Sequence, residues 1–293
     1  MQYTALMWSR RGFPLRLLPV LGVLRIRGVR TAMVFHDPQP FHGRRIVDRI
    51  RRACQGAVMR AAYGLSEATV LTVPREQVSW LPTRPSKATF IPIGANLPAI
   101  DKACLPAPNG HDAKTIVVFA VTDAGDISRE VSDITLAARR AAERLPHVRL
   151  VTVGRGSAQS EGRFRQALEG SAVEYSALGV RPAEEVSRVF ASADVSLFVR
   201  GPISTQRGSA IASIAHGVPL VSYAPPKLPT PLAEAGIVGV PYPDRDKLAE
   251  ATVRVLTDPQ LWQDLHARSL DAHGKYFSWE AVASRFLEIL GHA

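Results

Sequence analysis

Cysteine is nearly absent: Cys54 and Cys104 are the only two in 293 residues. Two thiols build neither a disulfide framework nor a four-ligand zinc site, so the expected setting is a reducing cytoplasm. No apolar run reaches the roughly 18 residues that span a bilayer. Histidines do not cluster at metal-ligand spacing, no Ser/His/Asp triad can be assembled, and Asp37, Glu67, Glu76 and Asp101 are too scattered to propose a carboxylate pair. No intact G-x-G-x-x-G or Walker sequence occurs, which counts against a dinucleotide or ATP enzyme. Internal repeats and low-complexity tracts are missing as well.

Lysine is also scarce, with arginine carrying most of the positive charge. Residues 1–60 hold twelve arginines and no lysine, against only Asp37 and Asp48, a balance of +10 that equals the net charge of the whole chain. The basicity therefore belongs to one region. Such a region attracts anionic partners, or it is simply a solvated arginine-rich face. Aromatic residues near it are few (Phe35, Phe41, Tyr63), leaving little stacking surface for nucleic acid. Phosphorylated substrates, or an anionic membrane surface met through residues 10–60, are the partner classes that remain.

Arg10 and Arg11 precede the apolar stretch Phe13 to Leu24, which superficially looks like a secretory signal. Pro14, Arg16 and Pro19 interrupt it, and Arg25, Arg27 and Arg30 stand where small cleavage-site residues belong, so a mature intracellular segment is expected. Leu15, Leu17, Leu18, Leu21 and Leu24 predict a short buried helix. Thr31 to His36 reads as a strand closed by Asp37-Pro38. Ile46, Ile50, Ala53, Ala57 and Ala61 recur at helical spacing, with arginines, Asp48 and Gln55 opposite, which predicts a helix resting on a sheet through Ile46, Ile50 and Ala57. Strands follow at 68–73 and 88–93, then a Pro-rich linker over 97–112.

From Thr115 onward, buried-type strands (115–121, 148–153, near 173, 194–199, 218–222) alternate with helices (130–145, from about 161, 182–191, 208–216). That alternation predicts βαβ units and parallel sheets. The segment 246–290 reads as helical, broken at Pro259 and Gly274. The expected organisation is an N-terminal α/β domain over 1–105, a second over 106–275, and a closing helix over 276–293 that packs back toward the first.

Doubly wound sheets bind ligands beyond the carboxyl ends of their strands, so the loops there are where chemistry is expected. The richest loop runs from Arg200 to Ser209. Gly208 and Ser209 open a helix whose free amides and dipole favour an anion, and Arg200 and Arg207 add fixed charge with the geometry for phosphate oxygens. The plainer alternative is Ser209 capping its own helix with both arginines in water. A second loop, Gly154-Arg155-Gly156-Ser157, permits close approach of a ligand to its backbone. His36 ends the first clear strand and, read alone, is a structural hydrogen-bonder.

The order of several short segments resembles the GT-B group 1 (family 4-like) retaining glycosyltransferases. These are VFHD (34–37), FIPIGAN (90–96), VRLVTVGRG (148–156), ASADVSLF (191–198), AHGVPLV (215–221), and Trp279-Glu280 with Val282-Ala283 and Phe286-Leu287. The resemblance covers about residues 31–290. It implies two Rossmann-type domains with parallel sheets, the first incomplete. It implies transfer of a sugar from a nucleoside diphosphate to a glycan or lipid-linked acceptor, with retention and without metal or other cofactor. His36 would face the donor sugar as the catalytic residue. Arg200, Arg207, Gly208 and Ser209 would receive the diphosphate, and Arg129, Gly154, Arg155 and Ser204 would line the nucleotide side of the cleft. Two departures stand out. The family's pair of glutamates, eight positions apart, is replaced by Ser204 and Ala212. The part of the first domain before the strand at 31–36 is short, as expected of a truncated domain or a misplaced start codon. A non-catalytic module that binds nucleotide or a protein partner is the competing expectation. The location that fits either is cytoplasmic, with peripheral contact to the inner membrane face.

Overall fold

The computed structural model describes residues 1–9, 11–98, 113–122 and 127–292. Most of the expected linker, with the 105/106 boundary and Cys104, lies outside the described residues. The chain divides into two compact units: Met1–Ile93 with Trp279–Ala293, and Gly94–Ser278.

The first unit is a four-stranded parallel sheet in the order β1-β2-β3-β4, built from β1 (Gln2–Tyr3), β2 (Ala32–Phe35), β3 (Ala68–Leu71) and β4 (Ala88–Phe90). Its first strand was not expected from the sequence. Two residues are enough because Tyr3 is fully buried and pairs with Phe35, while the Met1 ammonium donates to the Ala32 carbonyl at 2.7 Å. Helices α1 (Ala5–Trp8), α2 (Leu17–Ile26) and α3 (Ile46–Leu65) follow the first two strands.

Alternation along the strands splits the unit into two packed layers. Met33, Phe35 and Leu71 face α2 and α3 in one cluster, where Phe35 lies between Tyr3 and Trp80. Val34 and Val70 face the other way, against Val282, Phe286 and Ile289 of the last helix.

Two expectations about these helices are corrected. In α2 only Leu17 and Leu21 are buried, and Leu15 just before it is exposed. In α3 the inward face is Gln55, Val58, Met59 and Ala62, whereas Ile46 and Ile50 are 77% and 58% exposed and Ala57 is exposed too. The polar Gln55 can turn inward because its groups are satisfied. Its oxygen accepts from the Phe41 amide at 2.7 Å and its nitrogen donates to the Gly12 carbonyl at 2.8 Å. Asp48 is buried for the same reason, bonded to Arg51 and to the Arg45 amide.

The second unit carries a six-stranded parallel sheet in the order β10-β9-β8-β5-β6-β7. Its strands are β5 (Lys114–Phe119), β6 (Val148–Val153), β7 (Val173–Gly179), β8 (Val195–Phe198), β9 (Leu220–Ala224) and β10 (Ile237–Pro241). On the faces lie α4 (Ile127–Ala142), α5 (Ser157–Leu168), α6 (Ala183–Ala191), α7 (Gly208–Ala215), α8 (Thr230–Glu234), α9 (Arg245–Thr257) and α10 (Pro259–Ala272). A π-helical turn, His273–Phe277, precedes α11 (Trp279–His292), which belongs to the first unit. The central strands are mostly apolar and buried because both faces are covered. The chain winds outward from β5 in one direction as far as β7, then returns to place β8 on the other side of β5.

That return is pinned at the start of both strands. Asp194 accepts from the Thr115 amide at 2.8 Å and from Lys114 at 3.0 Å, and its own amide donates to the Thr115 carbonyl. The Trp262 indole closes on the Asp194 carbonyl from α10.

Candidate functional site

In a doubly wound sheet the ligand crevice opens where the winding reverses, beyond the carboxyl ends of the two strands that flank the reversal. Here those strands are β5 and β8. The loop after β5 begins with Ala120, a non-glycine residue at φ 66, a conformation that costs an L-residue about 1–2 kcal/mol. The loop after β8 is Val199 to Arg207, and α7 starts directly behind it.

Arg200 is the second residue past β8 and is half-buried. One of its terminal nitrogens donates to the Ser209 hydroxyl at 2.8 Å, while its Nε is buried with no acceptor among the described residues. Burial holds its pKa below the usual arginine value. Glu130 opposes that shift, and the positive charges of Arg207 and Arg155 add to it. Arg155, Arg207 and Glu130 are therefore all near enough to act on the charge of Arg200, and Ser209 is bonded to it.

Ser209 does not cap its own helix, because its hydroxyl serves Arg200 and the residue at the N-cap position is Arg207. The Arg207 carbonyl accepts from Ala210 and Ile211, so the amides of Gly208 and Ser209, one position further out, have no acceptor inside the helix. The Gly201 backbone, at φ 96, has open space where a side chain would stand. Arg207 itself is exposed, and its amide is held by the Ser204 carbonyl at 3.1 Å, which is the contribution of Ser204 to the loop.

Arg129 is placed behind this group. Its guanidinium is bonded to Asp133 at 2.8 Å and to the Val199 carbonyl at 3.1 Å, and it lies over the Tyr242 ring. Asp133, almost wholly buried, also accepts from Tyr223. Burial first, and this hydrogen bond second, push the Tyr223 hydroxyl well above the usual tyrosine value. Arg129 thus braces the loop from beneath.

The glycine loop serves the chain's own packing. A side chain at Gly154 would stand 2.9 Å from the Phe119 ring. One at Gly156 would stand 2.1 Å from the Val121 carbonyl oxygen, and both glycines sit at positive φ. What approaches this backbone is the β5 loop rather than empty space. Gly156→Ala is therefore expected to destabilise the second unit by about 2–4 kcal/mol, from the left-handed φ and the contact together. Urea unfolding followed by fluorescence would measure it; a loss under about 1 kcal/mol would mean the turn relaxes freely.

His36 belongs to the first unit. It directly follows β2, with its amide bonded to the Tyr3 carbonyl at 3.1 Å and its carbonyl accepting from Thr72 at 3.1 Å, so its backbone is fixed at the carboxyl end of that sheet. The residue that reading the sequence missed is Glu130. It is 2% exposed in the first turn of α4, and its two oxygens accept from the amide and the hydroxyl of Thr122. An acid in a helix's first turn looks like routine dipole compensation. Only the strand order shows that this turn borders the reversal.

Residues 120–258 match a family model described as glycosyl transferases group 1. Several solved structures share the fold. Sucrose-phosphate synthase from Thermosynechococcus elongatus is 20% identical over 92% of this chain and 70% of its own, with a TM-score of 0.61. WaaG, a glycosyltransferase involved in lipopolysaccharide biosynthesis, is 16% identical over 94% and 82%, with a TM-score of 0.62. Anabaena HepE in complex with UDP is 12% identical over 95% and 77%, with a TM-score of 0.65. At such identities the likeness is one of fold, an α/β fold of GT-B type with parallel sheets. No curated protein matches the sequence.

Proposed function

We propose, from the match of residues 120–258 to the model of the group 1 glycosyl transferases, that this chain moves a sugar from a nucleoside diphosphate to a glycan or lipid-linked acceptor with retention. The observation that carries the reading is Arg200: a half-buried guanidinium with an unused buried N–H, tied to the serine that opens α7, at the reversal of strand order. A diphosphate there would take the α7 amides and the Arg200 Nε. Arg207 and Arg155 would supply the remaining positive field. As the bond to the sugar breaks, charge grows on the departing diphosphate, and fixed cations and amides lower that barrier without needing to reorganise. The resemblance assigns this work to positive side chains rather than to metal, and gives His36 a place by the donor sugar. UDP is the first nucleotide to try, since HepE is solved with it.

Calorimetry with UDP and GDP on the whole chain tests the donor site. Binding of one of them at micromolar to sub-millimolar concentration is expected. If neither binds at millimolar concentration, the assignment fails. With the binding nucleotide's sugar as donor, His36→Ala should lower turnover while leaving nucleotide affinity unchanged. The second reading, a module that binds nucleotide and transfers nothing, is favoured by one observation. Ala212, at a glutamate position of the resembled family, is fully buried in apolar packing. Nucleotide binding with no donor hydrolysis or transfer would select it.

A further inference from the structure

We propose that the outer faces of α2 and α3 form a docking surface for an anionic phospholipid layer, independently of any sugar-transfer activity. The two helices lie side by side on the same face of the first sheet, anchored by Leu17 and Leu21 from α2 and by Val58, Met59 and Ala62 from α3. Their outer faces point away from that core together. On α2, Arg16, Val20, Val23 and Arg27 recur at spacings of four, three and four, which puts them on one stripe; all are exposed, and Ile26 beside them is 86% exposed. On α3 the corresponding stripe begins Ile46, Arg49, Ile50, with Val47 adjoining it, again all exposed.

Single exposed aliphatic residues are ordinary on soluble proteins, but a run of them across two neighbouring helices is a patch. Here it is interleaved with Arg16, Arg27 and Arg49, none of which forms an ion pair among the described residues. Asp48, the sole acid of α3, is turned inward and spent on Arg51 and the Arg45 amide. The segments leading into the helices are held in place by the same contacts. Arg51 donates to the Arg11 carbonyl and lies between the Phe13 and Phe41 rings, and Gln55 bridges Gly12 and Phe41. The surface is thus pre-formed.

Its chemistry selects one occupant. Guanidinium groups suit phosphate in any setting, but Ile and Val side chains gain nothing from a nucleic-acid backbone, and no row of exposed aromatics offers bases a stacking platform. A lipid headgroup layer supplies both halves, with phosphates for the arginines and acyl chains just beneath for the aliphatic groups.

Co-sedimentation of the whole protein with vesicles of phosphatidylcholine, with and without phosphatidylglycerol, tests this. Binding should require the anionic lipid and weaken steeply with salt. Arg16→Glu with Arg49→Glu, one on each helix, should reduce it by at least about a hundred-fold. Ile46→Ser with Ile50→Ser should reduce it about ten-fold or more, with the deficit persisting at high salt. These side chains are exposed, so melting temperatures should be unchanged, and Arg163→Glu with Arg181→Glu in the second unit should bind as the parent does. Equal binding to neutral vesicles, equal loss from the second-unit pair, or retention of duplex DNA through the same arginines without vesicle binding would each overturn the proposal.

Discussion

Arg200→Ala is expected to weaken nucleoside diphosphate binding by roughly a hundred-fold, with little loss of stability. A charge-assisted hydrogen bond in a desolvated setting contributes about 1.5–3 kcal/mol, and this side chain offers its unused Nε and a terminal nitrogen already directed at the start of α7. In the unbound protein the cost of removing it is small, because the Ser209 hydroxyl can turn to water and the depressed pKa shows that burial already taxes the charge. Arg200→Lys should recover only part of the affinity, since an ammonium cannot reproduce the planar fork. Arg207→Ala should cost less than Arg200→Ala, as Arg207 is exposed and its interactions are screened. Calorimetry on the three variants gives the ranking. Equal affinities for Arg200→Ala and the parent protein would remove Arg200 from the donor site.

Placing a glutamate at position 212, where the resembled family carries one, is expected to damage the protein rather than improve nucleotide binding. Ala212 is fully buried among Val117, Val153, Val186, Phe190 and Val218, and its carbonyl accepts from the His216 ring at 2.7 Å. The extra methylenes would overfill that cluster, at about 1–3 kcal/mol. The carboxyl group would be stranded without partners, adding about as much again or more. A total of about 4 kcal/mol or more is a large share of the 5–15 kcal/mol that holds a typical protein together. In a unit of this size it lowers the melting temperature by roughly 8–16 °C. Thermal unfolding of Ala212→Glu, with and without UDP, reads both effects. An unchanged melting temperature with tighter UDP binding would show that α7 can turn this position toward the ligand.

What could be read from the sequence follows what burial writes into it. The strands β5, β6 and β8 were visible as apolar runs because helices cover both of their faces. β10 was not, since Gly239 and Pro241 give it the composition of a turn; Gly239 is there because a side chain would press on Ala224 of the neighbouring strand, 2.7 Å away. The inward face of α3 was misassigned because Gln55 and Asp48 look like surface residues until their partners at Gly12, Phe41 and Arg45 are known, and sequence spacing does not record those partners. The Arg200–Ser209 contact was within reach of the sequence, being local to one strand-loop-helix step. Glu130 and the brace formed by Arg129, Asp133 and Tyr223 were not, since Tyr223 lies 90 positions from the aspartate it touches.

The pairing of β5 with β8 also bears on how the second unit comes to exist. Lys114 and Asp194, which clamp that pair, are 80 positions apart, and β6 and β7 are both synthesised before β8. During synthesis β5, β6 and β7 can associate with their helices while one edge of β5 stays open, an unpaired edge of the kind that invites aggregation. Closing it requires a contact of high sequence separation, which is slow. The groups bordering the crevice come from both sides of that seam, Glu130 after β5 and Arg200 after β8. Ligand recognition in this unit therefore waits on the pairing that Asp194 clamps.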